Sequence, residues 1–377
     1  MPCVDEEIIA TKFLLYCFEE LSGIKINYHK SEVFSVGISK LEEERIAMIL
    51  NCNIGSFPFK YLGLPMSPFK LRVADLEFIP QKLENRLNLW QAGSLYYSGR
   101  AVLINACLSS IPSYAMGLFL LPESIHNRLD SIRGRFYWEG VNDKRRYHMV
   151  KWCNLAFPKN FGGLGFTETR AMNSSLLAKW IFKLESNDSS LCMMVLRNKY
   201  MSNSGFFQGH ARGKMFSFFW KGLHSIKAWV LRGATEVGIG NHIYFWRDVW
   251  LNSVSLKTLY PFLYEICNQK EILVKDVLEE GLQILTFRRA FSITDFAQWN
   301  ELCALIDNLN ILSQERAEDN LVWALDNKGV FSSNSLYNLI TFRGVIDVNM
   351  QNLWSSPIPL KLKHFLWLAW RDKIQST

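Results

Sequence analysis

Residues 102–121 read "VLINACLSSIPSYAMGLFLL", and the fold class turns on what this stretch is. It has the length of a membrane-spanning helix, which takes about 20 apolar residues. Asn105, Ser109, Ser110, Pro112 and Ser113 interrupt its centre. Proline has no N–H to give to a helix and its ring clashes with the turn before it. The stretch therefore predicts a buried pair of apolar helices broken at Pro112, with no membrane partner. Outward from it the period stays helical. Leu76, Ile79, Leu83, Leu87 and Trp90 form one stripe upstream. Ile125, Leu129, Ile132 and Phe136 form another downstream, with Arg128, Arg133 and Arg135 off that face.

Further helices are expected over 168–184, 189–200 and 216–231, and the chain ends on the apolar helix of "PLKLKHFLWLAWRDKI". The front is mixed. Residues 5–21 predict a helix ended by Gly23, and Ile24, Ile26 and Tyr28 then alternate with polar residues as in a short strand. Ser39 with Glu42 three residues on is a capping box opening an amphipathic helix. "FKYLGLPM" (59–66) predicts a strand and turn. Hairpins are expected about Gly240-Asn241, and about Asn327-Lys328-Gly329 with Val330-Phe331 as the return strand. "FGGLGF" (161–166) lacks the spacing of a phosphate loop and predicts a structural turn. The class is α+β, predominantly helical. Its expected parts are a small α/β piece over 1–70, a helical region over 71–150, a basic aromatic-rich region over 151–255 and a mixed helix and hairpin region over 256–377.

Apolar residues make up 49% of the 377, enough for large cores and too many for a disordered chain. The net charge of +7 is not evenly spread. Residues 128–250 hold 19 Lys and Arg against 8 Asp and Glu, whereas the flanking segments hold 11 against 13 and 12 against 14. A basic block between near-neutral flanks points to a polyanion partner. No Cys-x-x-Cys pair occurs among the eight cysteines, which predict reduced thiols of an intracellular protein in the nucleus or cytoplasm. The acidic start "MPCVDEEIIATK" shows no secretory h-region.

In order along the chain, five segments resemble the back half of a plant non-LTR (LINE-type) retrotransposon reverse transcriptase. "CFEELSGIKINYHKSEVFSVG" looks like motif D, at the close of the palm, and "FKYLGLPM" like the primer grip. "GSLYYSGRAVLINACLSSIPSYAMGLFLLP" resembles the thumb helices of that family. "VGIGNHIYFWRDVWL" is similar to its downstream G-x-G…F-W-x-D-x-W-L element. "LVWALDNKGVFSSNSLYNLI…LWSSPIPLKLKHFLWLAWRDKIQST" resembles the front of its zinc-binding domain.

The resemblance implies roles. Gly23, Asn27, Lys30 and Ser31 would carry motif D, with Lys30 near the nucleotide phosphates. Phe59, Tyr61, Leu62 and Gly63 would carry the primer grip. Polymerisation needs two Mg²⁺ ions on paired carboxylates, and in the family these lie on a hairpin before the first helix, which by this reading precedes Met1. Asp5, Glu6 and Glu7 are not expected to replace them, so no catalytic residue is expected here. The family's zinc ligands lie beyond the segment that ends this chain. His364 stands without companions for a tetrahedral site, so neither metal site nor cofactor is expected.

The expected function is that of a truncated, polymerase-inactive remnant with nonspecific grip on RNA or an RNA–DNA duplex, and no small-molecule substrate. Arg128, Arg133, Arg135, Lys144, Arg145, Arg146, Lys151, Arg212 and Lys214 are the phosphate-contact candidates. The alternatives are a polymerase active only within a longer chain or complex, and a host interaction module with no nucleic-acid role.

Overall fold

The computed structural model describes residues 4–88, 95–139, 147–186, 188–201, 206–207, 216–237, 244–248, 250–251, 254–312, 320–326 and 328–374. Lys144, Arg145, Arg146, Arg212, Lys214 and the Gly240-Asn241 turn lie outside the described residues. The chain divides into two compact units, Met1–Phe78 and Ile79–Thr377. Helices dominate, and the strands of the described residues form three two-stranded ladders, making a predominantly helical α+β protein.

In the first unit, α1 (Asp5–Ser22) ends at Gly23, whose φ of 70° lets its N–H cap the Glu19 carbonyl. The strand expected at 24–28 does not form. The Glu19 carboxylate takes the Ile26 N–H. The Asn27 side chain accepts from the Lys30 N–H at 3.1 Å, and the Ser31 hydroxyl donates to the Asn27 carbonyl at 3.0 Å. These local bonds set a 3-10 turn over Tyr28–Lys30 and occupy groups that a ladder would need. Pairing is left to β1 (Glu32–Val33), which runs parallel to β2 (Asn53–Ile54) across α2 (Lys40–Leu50). Ser39 and Glu42 make both bonds of the capping box.

The hairpin of β3 (Phe59–Tyr61) and β4 (Leu64–Met66) follows, closed by the Tyr61–Leu64 pair. Leu62 (φ 49°) and Gly63 (φ 82°) form the turn. Two left-handed residues make a type I′ turn, whose twist suits a two-residue hairpin. Phe59 stacks on Phe34 at 4.1 Å between centroids, and Phe57 leans on both rings.

In the second unit, α3 (Phe78–Asn88) buries Ile79 and Leu83. α4 (Tyr97–Leu103) runs into a π-turn over Ile104–Leu108, where the Ser109 N–H and hydroxyl both reach the Ile104 carbonyl at 2.9 Å. The polar interruptions of 102–121 thus satisfy backbone groups. They break the stretch into α4, the π-turn and α5 (Ser113–Met116). No helix among the described residues is long and apolar enough to cross a membrane.

After α6 (Glu123–Trp138) and α7 (Trp152–Leu155), one core joins α8 (Thr169–Glu185), α9 (Leu191–Tyr200) and α10 (Phe218–Gly233) through Leu177, Ile181, Met193, Trp220 and Leu223. β5 (Ala234–Val237) leaves α10. A second core around Phe245, Trp246, Leu263 and Leu302 gathers α11 (Leu256–Leu259), α12 (Pro261–Ile266), α13 (Val274–Glu280) and α14 (Ile293–Leu312). β6 (Asn320–Trp323) then pairs antiparallel with β5. Here the structure departs from the expected hairpin. Gly329 does close a turn, its carbonyl accepting from the Trp323 N–H at 3.0 Å. Val330 and Phe331 nevertheless form no strand, and β6 takes the distant β5 as its partner.

The last helices, α15 (Ser333–Thr341), α16 (Val348–Ser355) and α17 (Leu360–Trp370), are tied into the same unit. The glycine turn is the tie. The Gly162 carbonyl accepts from Trp367 Nε1 at 2.9 Å and from Arg371 at 2.5 Å, and the Asp347 N–H reaches the Asn160 carbonyl at 2.9 Å. A Cβ at Gly163 would lie 1.8 Å from the Phe157 carbonyl oxygen, so the turn closes only with glycine there.

Candidate nucleic-acid interface

α6 turns Ile125, Leu129, Ile132 and Phe136 inward. Its three sequence-marked arginines separate. Arg128 and Arg135 are exposed, with exposed Ser131 between them. Seven residues are about two turns, so the two guanidinium groups leave one face roughly 10 Å apart along the axis. Arg128 lies 3.6 Å from Glu84 in an open ion pair that solvent weakens. Lys151 is exposed just ahead of α7.

Arg133 is a correction to the expected set of phosphate contacts. It is 1% exposed. Its guanidinium donates to the Thr167 carbonyl at 2.9 Å and to Asp130 at 2.5 Å, and lies 4.9 Å from the Trp152 ring centroid. Burial works to lower its pKa and Asp130 opposes that shift. With no donor facing water, it holds the stripe in place from beneath.

Asp130 is the hub of this arrangement. Its second oxygen accepts from Arg170 at 2.8 Å, and Arg170 also binds Glu123, Glu168 and Asn127. Burial disfavours the Arg170 charge, but its bonds to Glu123 and Asp130 outweigh that and raise its pKa. His126, 3% exposed, shares a 2.9 Å bond with Thr169, and burial pushes its pKa down. These contacts fasten α6 to α8. The Asp130 and Arg133 spacing of three marks a helix pair in the sequence. Nothing local marks the Arg170 bonds to Asp130 and Glu123, which lie 40 and 47 residues away.

Much of the basic middle is spent on structure. Arg197 donates to the carbonyls of Leu184, Asp188 and Lys183, ending α8. Lys227 donates to the Phe207 carbonyl. Lys199 and Arg232 lie over the Tyr200 and Trp229 rings. Phe206, Trp220 and Trp246 are core.

In the first unit, Lys30 and Ser31 end the 3-10 turn and Asn27 caps it. Phe59 packs on Phe34, whereas Tyr61 and Leu62 are 59% and 72% exposed at the hairpin tip. Asp5, Glu6 and Glu7 open α1, where carboxylates favour the helix dipole, and Asp5 pairs with Arg45 at 3.2 Å. Among the described residues no three His, Cys, Asp or Glu side chains gather as a metal site requires. His364 is buried, with Nδ1 3.3 Å from the Tyr137 hydroxyl, and burial lowers its pKa to about 4.

Comparison with known proteins agrees with this architecture. Residues 331–377 match the family described as zinc-binding in reverse transcriptase. The chain is 29% identical over 317 residues to the "Putative ribonuclease H protein At1g65750" of Arabidopsis thaliana, covering 79% of this chain and 48% of that protein. It therefore spans about half the length of that relative. It is 30% identical over 144 residues to the "Uncharacterized mitochondrial protein AtMg00310" of the same plant, covering 38% of this chain and 93% of that protein. The chain belongs to the plant retrotransposon reverse-transcriptase family, of which it carries the C-terminal region.

Proposed function

We propose that this chain grips the phosphate backbone of RNA or an RNA–DNA duplex without regard to sequence, and does not polymerise by itself. The observation that carries the reading is the exposed pair Arg128 and Arg135 on α6, backed by the network of buried Arg133 with half-buried Asp130 and Arg170. A rigid helix presenting two cations about two turns apart can meet successive phosphates of one strand. Such contacts position a duplex and carry no sequence information. Lys151 adds an exposed cation after the same helix. Lys144, Arg145, Arg146, Arg212 and Lys214 join this reading on their charge alone.

The inactive reading rests on the acidic residues in hand. Asp5 is paired with Arg45, and Glu6 and Glu7 sit exposed in the first turn of α1. Metal-dependent phosphoryl transfer takes paired carboxylates that hold two ions together, so the polymerase carboxylates would come from sequence beyond these residues. Primer extension on a poly(rA)–oligo(dT) template with Mg²⁺ or Mn²⁺ tests this half. No incorporation is expected, and extension by the pure chain overturns it. Binding of an RNA–DNA duplex tests the other half. It should weaken steeply as salt rises, and Arg128→Gln with Arg135→Gln should lower the salt slope by about two units, near one per lost phosphate contact.

A further inference from the structure

Around Tyr264, far along the chain from α6, lies a second gathering of cations. Lys257 and Lys270 each place the ammonium nitrogen 4.9 Å from the centroid of the Tyr264 ring. Arg247 Nε lies 3.5 Å from the Tyr264 hydroxyl, and its NH1 pairs with the exposed Glu271 at 2.9 Å. Asp248 accepts the Tyr244 N–H at 2.7 Å and lies in the field of Lys227 and Arg247. The Glu271 carboxylate thus serves the arginine. Neither lysine ammonium has a hydrogen bond or carboxylate partner among the described residues.

Both ammonium groups are brought there by the backbone. The Lys257 N–H donates to the Trp246 carbonyl at 2.8 Å, and the Lys270 N–H to the Asn268 carbonyl at 3.2 Å in the turn after α12. The two charges lie no more than about 10 Å apart, one Debye length at 0.1 M salt. Their mutual repulsion goes uncompensated except by the ring, whose attraction at an exposed site is only about 0.5–1 kcal/mol per cation. The phenol responds to this field: the bond from Arg247 and the three nearby cations lower its pKa.

We propose that Lys257, Lys270, Arg247 and the Tyr264 hydroxyl form a second phosphate-binding subsite, one that takes the backbone of single-stranded nucleic acid. The ammonium groups would flank a phosphate while the arginine and the phenol supply directed N–H and O–H donors. A base can lie against the partly exposed Tyr264 ring, as bases do on aromatic platforms of single-strand binders. The subsite rests on the proposed nucleic-acid grip and extends it to a region whose sequence shows no basic run.

The test uses the full chain, a labelled short oligouridylate and inorganic pyrophosphate. Lys257→Gln with Lys270→Gln removes two charges that have no carboxylate partner. It should cut the log K against log salt slope by about 0.7, the contribution of one phosphate on a single strand. Lys257→Arg with Lys270→Arg should restore the slope, and the α6 pair of glutamines should lower it independently. Unchanged slope and affinity in the first variant, with the α6 variant weakened, would overturn the subsite and spare the proposed function. If the wild type binds no oligouridylate, the proposed single-strand grip is wrong. Pyrophosphate then decides whether anything remains: a rise in the Tyr264 phenol pKa, read as the ultraviolet titration difference from Tyr264→Phe, keeps an anion site, and an unmoved titration removes that too.

Discussion

The two units use the same apolar alphabet to different ends. The second unit buries tryptophans 138, 220, 246, 323 and 367 almost completely. The first leaves Ile9, Phe13, Leu14, Phe18 and Leu21 of α1 exposed, each above 50%. Among the described residues of the first unit, Ile8, Ile46, Ala47, Leu64, Pro65, Leu71 and Leu76 are the buried apolar side chains. Its ladders are two and three residues long, and such short pairings do not sustain a sheet alone. The second unit instead joins distant segments by buried or half-buried polar bonds: Tyr137 to His364 and Trp367 to Gly162 in the interior, and Asp130 to Arg170 half-buried. Similar apolar side chains are thus buried in one unit and left exposed in the other.

The sharpest break in that comparison is Arg133→Ala. It strips a buried partner from Asp130 and Thr167, and losing one member of a buried pair typically costs about 3–5 kcal/mol. Urea unfolding of the second unit should register that loss, and a change under 1 kcal/mol would show that the network holds nothing. In the first unit, Ile8→Ala should cost about 2–5 kcal/mol, as a buried truncation does. Phe18→Ser on the same helix should stay within about 0.5 kcal/mol, as exposed substitutions usually do. Equal losses would mean that the α1 face is already covered.

Acid provides the next lever. His364 titrates near 4 in the fold against an ordinary value of 6.5. Between these values the unfolded chain binds the extra proton. The contribution is therefore complete above pH 6.5 and is lost as pH falls toward 4, to a total of about 3 kcal/mol. His126 shifts in the same direction through burial. Stability of His364→Gln followed against pH should lose most of the slope between 6.5 and 4, and an unchanged slope would exclude His364 as its source. A small gain is expected at the hairpin tip. Leu62 holds φ at 49°, where a side chain strains the backbone, so Leu62→Asn should stabilise the first unit by about 1 kcal/mol in thermal unfolding. A loss would show that the Leu62 side chain makes a compensating contact.

Local signals were legible. The Ser39 capping box, the α6 stripe and the structural use of "FGGLGF" can all be read from spacing. What escaped depended on partners far away or on competition for backbone groups. Alternation at 24–28 suggested a strand, but Glu19 and Asn27 had claimed the necessary bonds. β6 pairs with β5, a partner that no local spacing announces. Charge counting placed Arg133 among the phosphate contacts and Arg197 within the basic block. The fold spends both, because a guanidinium has enough donors to end a helix or bridge two elements. Helical periodicity places Arg133 off the apolar stripe, yet cannot reveal that α7 and the Thr167 carbonyl cover that side.

The account stands most directly on one measurement: the affinity of the chain for a short RNA–DNA duplex over a range of monovalent salt, with and without Arg128→Gln and Arg135→Gln. It predicts a steep linear fall of log K with log salt in the wild type, and a slope shallower by about two units in the variant at unchanged folding stability. Binding that stays flat across salt, or a variant indistinguishable from the wild type, would contradict it.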